Sequence, residues 1–237
     1  MVAAFKEFEN LYDLLKKLDL LLPMNVSIVI ADDTGVDTEE RISDIVSAAL
    51  GRERNWLITF ENKKSGRGSA VLRGFLAANE FFSKLEFYAE CDADGSHQPM
   101  DIAKIILYPP CDFLIGSRYL KESRIEGWPI SRRVASKLLN SLIPIALDLK
   151  STDVTNGLRR YSRIATQIIL NHSQKNTGFI FLSEQALLLS NHGINPKEEP
   201  ITFVNRIYGE SSVGIIEIID SVKGVFTLYS EKKRRKE

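Results

Sequence analysis

Glu86-Phe87-Tyr88-Ala89-Glu90-Cys91-Asp92-Ala93-Asp94-Gly95-Ser96-His97 is the stretch whose reading decides the fold. Its apolar, aromatic-rich start reads as a buried strand, which stops at two carboxylates separated by one small residue. In an open α/β sheet, ligands bind outside the carboxyl ends of the strands. Asp92 and Asp94, with Ala93 between them, repel each other unless a positive charge sits close by. Mg²⁺ suits such a pair, because it takes one or two protein carboxylates and completes its shell with water and substrate phosphate. The stretch predicts a metal-held diphosphate, hence a nucleotide-linked substrate. An Asp-X-Asp turn standing alone is more often a plain cap than a metal site, so its meaning depends on its neighbours.

Those neighbours alternate strand and helix. Upstream, Phe8, Leu11, Leu14, Leu15 and Leu18 make the apolar stripe of a first helix. Val26 to Ala31 is a buried strand stopped by Asp32-Asp33, a helix covers about 40–50, and Trp56 to Phe60 is a strand. The glycine-bearing basic turn Asn62 to Ala70 opens a helix through Phe82. Downstream, Pro99 suits a first helical position, and Phe113 to Gly116 is a further strand. The second half reads as a polar loop (Arg118 to Pro129), a helix (Ser131 to Leu147), a strand (Gly157 to Tyr161), a helix (Phe181 to Ser190) and a strand (Pro200 to Val204). The pattern predicts a mostly parallel sheet with helices on both faces, in one domain spanning residues 1–237.

Lys plus Arg and Asp plus Glu both number 31, so no global field attracts nucleic acid. Cys91 and Cys111 show neither metal-ligand nor disulfide spacing and read as buried thiols of a reducing compartment. Neither a signal peptide nor a bilayer-spanning run is apparent, which predicts a cytoplasmic location. A last helix, about 215–229, carries a broad apolar face and runs into a basic tail, 231–237. Such a helix either packs on the core or lies on a membrane, where each basic residue near anionic lipid adds about 1 kcal/mol.

With these pieces placed, the chain resembles family-2 glycosyltransferases of the GT-A fold, and among them the dolichol-phosphate (polyprenol-monophosphate) mannose synthases. The resemblance rests on Asp92 to Pro99, Gly116-Ser117-Arg118-Tyr119, Gly127-Trp128-Pro129 with Ser131-Arg132-Arg133, and Pro200 to Arg206 through Gly209-Glu210-Ser211. Asp153 to Tyr161 corresponds more loosely. The resemblance implies inverting transfer of mannose from GDP-mannose to a polyprenyl (dolichyl) phosphate, assisted by Mg²⁺ or Mn²⁺. It also implies peripheral contact with the cytoplasmic face of a membrane, with or without a membrane subunit.

By the same resemblance Asp94 ligates the metal, while Asp92 contacts ribose or the metal's waters. Arg118, Arg132 or Arg133, and Arg206 hold the acceptor phosphate, a role that suits the planar fork of arginine. Asp33, beside Asp32, corresponds to the acidic residue that reads the nucleobase, and Glu7 to a nucleotide-side glutamate. From its residues, the turn with Lys64, Gly66 and Gly68 either approaches the nucleotide through backbone N–H groups at a helix start or is a glycine turn with no such role; Ala93 is expected among the nucleotide contacts. An acceptor phosphate is already ionised at neutral pH, so the chemistry needs no general base. The three histidines accordingly form no acid/base constellation.

The chain also departs from the family. Its opening strand is reduced to Met1-Val2 before Ala3-Ala4-Phe5-Lys6-Glu7, Leu182 replaces a usual glutamine, and Ser212 a usual lysine. The alternatives are a UDP-glucose-dependent polyprenyl-phosphate glucosyltransferase and a non-catalytic homologue that binds nucleotide sugar or lipid phosphate.

Overall fold

A computed structural model describes residues 1–51, 53–62, 65–173, 176, 178, 180–206, 224–230 and 232. The strands are β1 (Val2–Ala4), β2 (Ile28–Asp32), β3 (Trp56–Phe60), β4 (Phe87–Asp92), β5 (Phe113–Ser117), β6 (Arg124–Glu126), β7 (Arg159–Ser162), β8 (Lys197–Pro200) and β9 (Thr202–Val204). The helices are α1 (Phe8–Leu21), α2 (Glu39–Ala49), α3 (Arg67–Phe81), α4 (Pro99–Ile106), α5 (Ile130–Leu147), α6 (Arg163–Leu170) and α7 (Ile180–Asn191). A seven-stranded sheet runs β3-β2-β1-β4-β7-β5-β8, and β6 pairs with β9 in a separate ribbon. All pairings in the large sheet are parallel except those of β7, which runs antiparallel to both β4 and β5.

Both faces of the sheet are covered, as alternation along the strands requires. Ile28 and Ile30 of β2 join Leu114 of β5 in one apolar cluster with residues of α1, α2 and α4. Val29, Phe113 and Ile115 point the other way, into a cluster with residues of α3, α6 and α7. Arginines secure two helix ends from outside. Arg54 donates to the carbonyls of Asp19, Leu22, Pro23 and Val26 at and beyond the end of α1, and Arg160 to those of Ile106, Tyr108 and Pro109 at and beyond the end of α4. Each satisfies carbonyls that a helix terminus leaves orphaned.

Several elements differ from the sequence reading. The opening strand is not lost: Val2–Ala4 sits mid-sheet, paired to Ile30–Asp32 on one side and to Cys91 and Asp92 on the other. β6, α6 and β8 are additional, and the strand expected at Gly157 to Tyr161 starts two residues later and runs antiparallel. Residues 224–230 are helical, with Leu228 buried against the second cluster; the rest of the expected helix and all of the tail except Lys232 lie outside the described residues.

The parallel strands bring Ala4, Asp32, Asp92 and Ser117 to one carboxyl rim. Because β7 is reversed, Asn156 and Gly157, just before its first residue, reach the same rim. Val204 N–H donates to the Ser96 carbonyl at 3.0 Å, which ties the β6–β9 ribbon over the turn that follows the acidic pair.

Candidate active site

β4 ends in Asp92, and the polypeptide turns sharply through Gly95 at φ +74°. Asp92 Oδ1 accepts from Arg67 Nε at 2.6 Å. The same guanidinium donates from Nη1 to Glu90 Oε2 at 2.7 Å and from Nη2 to the Gly157 carbonyl at 2.9 Å. Burial alone would lower the Arg67 pKa, but Asp92 and Glu90 push it above its ordinary value, so it stays charged. Burial likewise would raise the Asp92 carboxyl; Arg67 reverses this and holds it below the usual carboxylate value. A Cβ on Gly157 would lie 2.3 Å from Arg67 Nη2, which is why the close approach needs glycine.

Sequence reasoning missed Arg67, Glu90 and Tyr161. Tyr161 Oη donates to Glu90 Oε1 at 2.6 Å or to Gln185 Oε1 at 2.8 Å, and burial followed by the Glu90 charge pushes its phenol well above the ordinary value. A charged residue inside an apolar strand, Glu90, was the available signal, since a buried carboxylate needs a partner.

Asp94 Oδ1 accepts the Ser96 N–H at 3.0 Å, and Oδ2 lies 2.7 Å from Arg206 Nη2. Arg206 Nη1 is 3.9 Å from Glu7 Oε1. Burial raises the Glu7 pKa; a hydrogen bond from Asn10 opposes this, while the nearby Asp94 adds to it. Among the described residues no three His, Cys, Asp or Glu side chains converge closely enough to hold a metal ion by themselves. Carboxylate oxygens of Asp92 and Asp94 nevertheless suit Mg²⁺ or Mn²⁺, hard cations that draw the rest of their shell from water and phosphate. Arg206 supports that fit, because it already stands as a positive charge between Asp94 and Glu7.

Of the other residues expected on the nucleotide side, Asp32 accepts from the N–H and hydroxyl of Thr34, and burial raises its pKa. Asp33 is engaged within the protein: Oδ2 accepts from Ser65 N–H and Oγ, each at 2.9 Å, and Oδ1 from Arg73 at 2.8 Å. It thereby pins the glycine turn to the rim. Gly66, at φ +95°, is the N-cap of α3. At Gly68 a Cβ would come within 2.6 Å of the Phe181 ring, so this glycine serves helix packing. Lys64, Gly209, Glu210, Ser211 and Ser212 lie outside the described residues.

On the opposite side, Arg118 turns inward. Its Nε and Nη2 grip the two oxygens of Asp153 at 2.7 Å each, Nη2 also reaches Thr155 Oγ1, and its backbone N–H donates to Asp153 Oδ2 at 3.0 Å. Arg132 lies over the Trp128 ring, 4.1 Å from its centroid, and donates to Asn205. Arg133 is spent on the Ile125 carbonyl. Burial, followed by repulsion from Arg206 and Arg118, lowers the Arg132 pKa, so these cations share one electrostatic field. The Trp128 indole N–H is buried with no hydrogen-bond partner among the described residues.

His97 is structural. Its Nδ1 accepts the Asp92 N–H at 3.4 Å, which leaves the proton on Nε2 to donate to Asn156 Oδ1 at 3.0 Å. The ring also packs edge-on against Phe203. Glu184 likewise anchors a loop, accepting from the backbone and side chain of Asn176.

Residues 1–169 match the family model described as glycosyl transferase family 2. The chain is 29% identical over 216 residues to the polyprenol monophosphomannose synthase of Mycolicibacterium smegmatis, covering 90% of this chain and 79% of that protein. It is 28% identical over 232 residues to the dolichol-phosphate mannosyltransferase of Pyrococcus furiosus, covering 96% of this chain but only 62% of that longer protein. In structure it resembles glucosyl-3-phosphoglycerate synthase from Mycobacterium tuberculosis in complex with Mn²⁺, UDP and glucosyl-3-phosphoglycerate. There the TM-score is 0.62 at 14% identity, over 97% of this chain and 78% of that one. A complex of the same enzyme with Mg²⁺ and UDP gives a TM-score of 0.61. At such identity the likeness establishes the GT-A fold.

Proposed function

The chain belongs to glycosyl transferase family 2, and from that premise we propose that it transfers mannose from GDP-mannose, with inversion, to a polyprenyl phosphate. The observation that carries the reading is one rim with two electrostatic halves. Asp92, Asp94 and Glu7 lie on one side, and on the other lie Arg132, Arg118 with its partner Asp153, and the Trp128 indole N–H, which has no hydrogen-bond partner among the described residues; Arg206 stands between them. An acidic half suits a cation-bound diphosphate, and a crowded basic half suits an anionic acceptor. The two named mannosyl relatives point the same way.

In this reading Asp92 and Asp94 hold Mg²⁺ or Mn²⁺, which when bound supplies Lewis-acid stabilisation of the departing diphosphate. The chain's own residues do the remaining work. Arg67 fixes the Asp92 carboxylate through one oxygen and leaves the other to the site. Arg132, Arg206 and the Trp128 N–H orient the acceptor phosphate for attack from the face opposite the leaving group, which inverts the sugar. The phosphate is its own nucleophile, so no side chain takes a proton, in keeping with the structural engagement of His97. Catalysis is positioning of two anions without mutual repulsion.

A lipid acceptor calls for a membrane-facing surface. Among the described residues no helix is long and apolar enough to cross a membrane. α5, however, leaves Ile130, Val134, Leu138, Leu142 and Ile145 more than half exposed in a stripe at three- and four-residue spacing, beside exposed Arg133 and Lys137. α5 starts two residues after Trp128. Its stripe would therefore bring the basic half to the bilayer surface, a contact that complements the one expected of the C-terminal segment. Replacing Leu138 and Leu142 together by Glu is expected to weaken co-sedimentation with anionic vesicles about tenfold, the equivalent of ~1.4 kcal/mol. Unchanged sedimentation would remove α5 from the contact.

Purified protein incubated with radiolabelled GDP-mannose or UDP-glucose, a polyprenyl phosphate and Mn²⁺ tests the whole reading. Label is expected in the organic phase from GDP-mannose alone. Transfer from UDP-glucose alone replaces the donor, and transfer from neither overturns the proposal.

A further inference from the structure

Arg206 stands with the donor-side acids. Its side chain is 19% exposed, those of Asp94 and Glu7 only 12% and 14%, so the three share a largely desolvated space. The other member of the acidic pair, Asp92, is already paired with Arg67, which three hydrogen bonds hold, one of them to the Gly157 carbonyl. Arg67 is shared with Glu90 and has no charge to spare for Asp94 and Glu7, which one other guanidinium, Arg206, meets. A divalent ion ligated by Asp94 would compete with that guanidinium for the same carboxylate, because like charges a few ångströms apart in a shielded site repel strongly.

We propose that Arg206 is a built-in substitute for the divalent cation: it balances Asp94 and Glu7 while no metal is bound, and metal entry releases it to the acceptor side. The inference rests on the metal-assisted reading above and adds a binding order. Until the cation and its diphosphate arrive, Arg206 is withheld from the acceptor. Once released, it joins Arg132 beyond the reach of Asp94 and adds to a positive field that an anionic acceptor relieves. Acceptor affinity therefore rises with metal occupancy. By linkage, metal affinity rises by the same factor when acceptor phosphate is bound.

Mn²⁺ titrations of the full chain, followed by calorimetry and by the electron spin resonance of the free ion, give the test without turnover. Arg206→Gln removes the competing charge and is expected to bind Mn²⁺ about tenfold more tightly than the parent, whereas Arg206→Lys, which keeps the charge, stays within about threefold of it. Asp94→Asn in either background abolishes the tight uptake, which locates the ion. In the parent, a short-chain polyprenyl phosphate is expected to tighten Mn²⁺ binding severalfold, and in Arg206→Gln to leave it unchanged. Arg206→Gln that binds Mn²⁺ no better than the parent, while both bind it, overturns the substitution and leaves metal-assisted transfer standing. No Mn²⁺ uptake by either protein defeats the metal-assisted reading itself, and the substitution with it.

Discussion

Asp94→Asn is expected to lower mannosyl transfer by about three orders of magnitude, near 4 kcal/mol of transition-state stabilisation, while the protein stays folded. The amide retains an oxygen for the Ser96 N–H, so the turn after β4 keeps its internal bond. No core volume is deleted, because Asp94 lies on the rim and belongs to neither apolar cluster. What disappears is one full negative charge, and with it the carboxylate that Arg206 meets at 2.7 Å. Single-turnover transfer from labelled GDP-mannose measures the loss, and a melting temperature within about 3 °C of the parent shows that the fold survived. Activity within tenfold of the parent would take Asp94 out of the chemistry.

The second large effect is on stability. Asp153 is fully buried and accepts from the Arg118 backbone, its Nε and its Nη2. Asp153→Ala leaves a buried guanidinium uncompensated, which typically costs about 3–5 kcal/mol, or roughly 10 °C in melting temperature for a chain of this size. Urea denaturation is expected to show the loss, and the double replacement Arg118→Met with Asp153→Leu to be less destabilised than Asp153→Ala alone. A double variant as unstable as the sum of its single variants would mean that the two residues do not act as a pair.

How much of this was legible in the sequence depends on what each element buries. β2, β4 and β5 are flanked on both sides and covered on both faces, so their apolar runs announce them. β8, Lys197–Pro200, pairs only with β5 at the edge of the sheet and needs no such run; its charged sequence gives no periodic signal. β6 is three residues long, too short for any period to register. α6 was findable: Ser162 caps it through its side chain, and Ala165 and Ile169 are buried one turn apart. The reversal of β7 is a property of the topology and leaves no mark in a short strand.

The site divides in the same way. Asp92 and Asp94 stand where a strand ends, and the sequence shows that directly. Arg67 stands where a glycine turn opens a helix, and its role depends on Glu90 and Gly157, which lie 23 and 90 residues away. The inward turn of Arg118 depends on Asp153, 35 residues on. Such pairings exist only once the sheet has assembled, and no local spacing encodes them.

Trp128 carries a further consequence. Its ring has the Arg132 guanidinium stacked 4.1 Å from the centroid and Phe203 edge-on at 5.4 Å, and the chain's only other tryptophan, Trp56, lies on the distant strand β3. Indole emission responds to a cation lifted from its face, so a Trp56→Phe chain holds a native fluorophore at the basic half of the rim. Arrival of a phosphorylated lipid becomes an optical event that can be timed in a stopped-flow cuvette, before any sugar has moved.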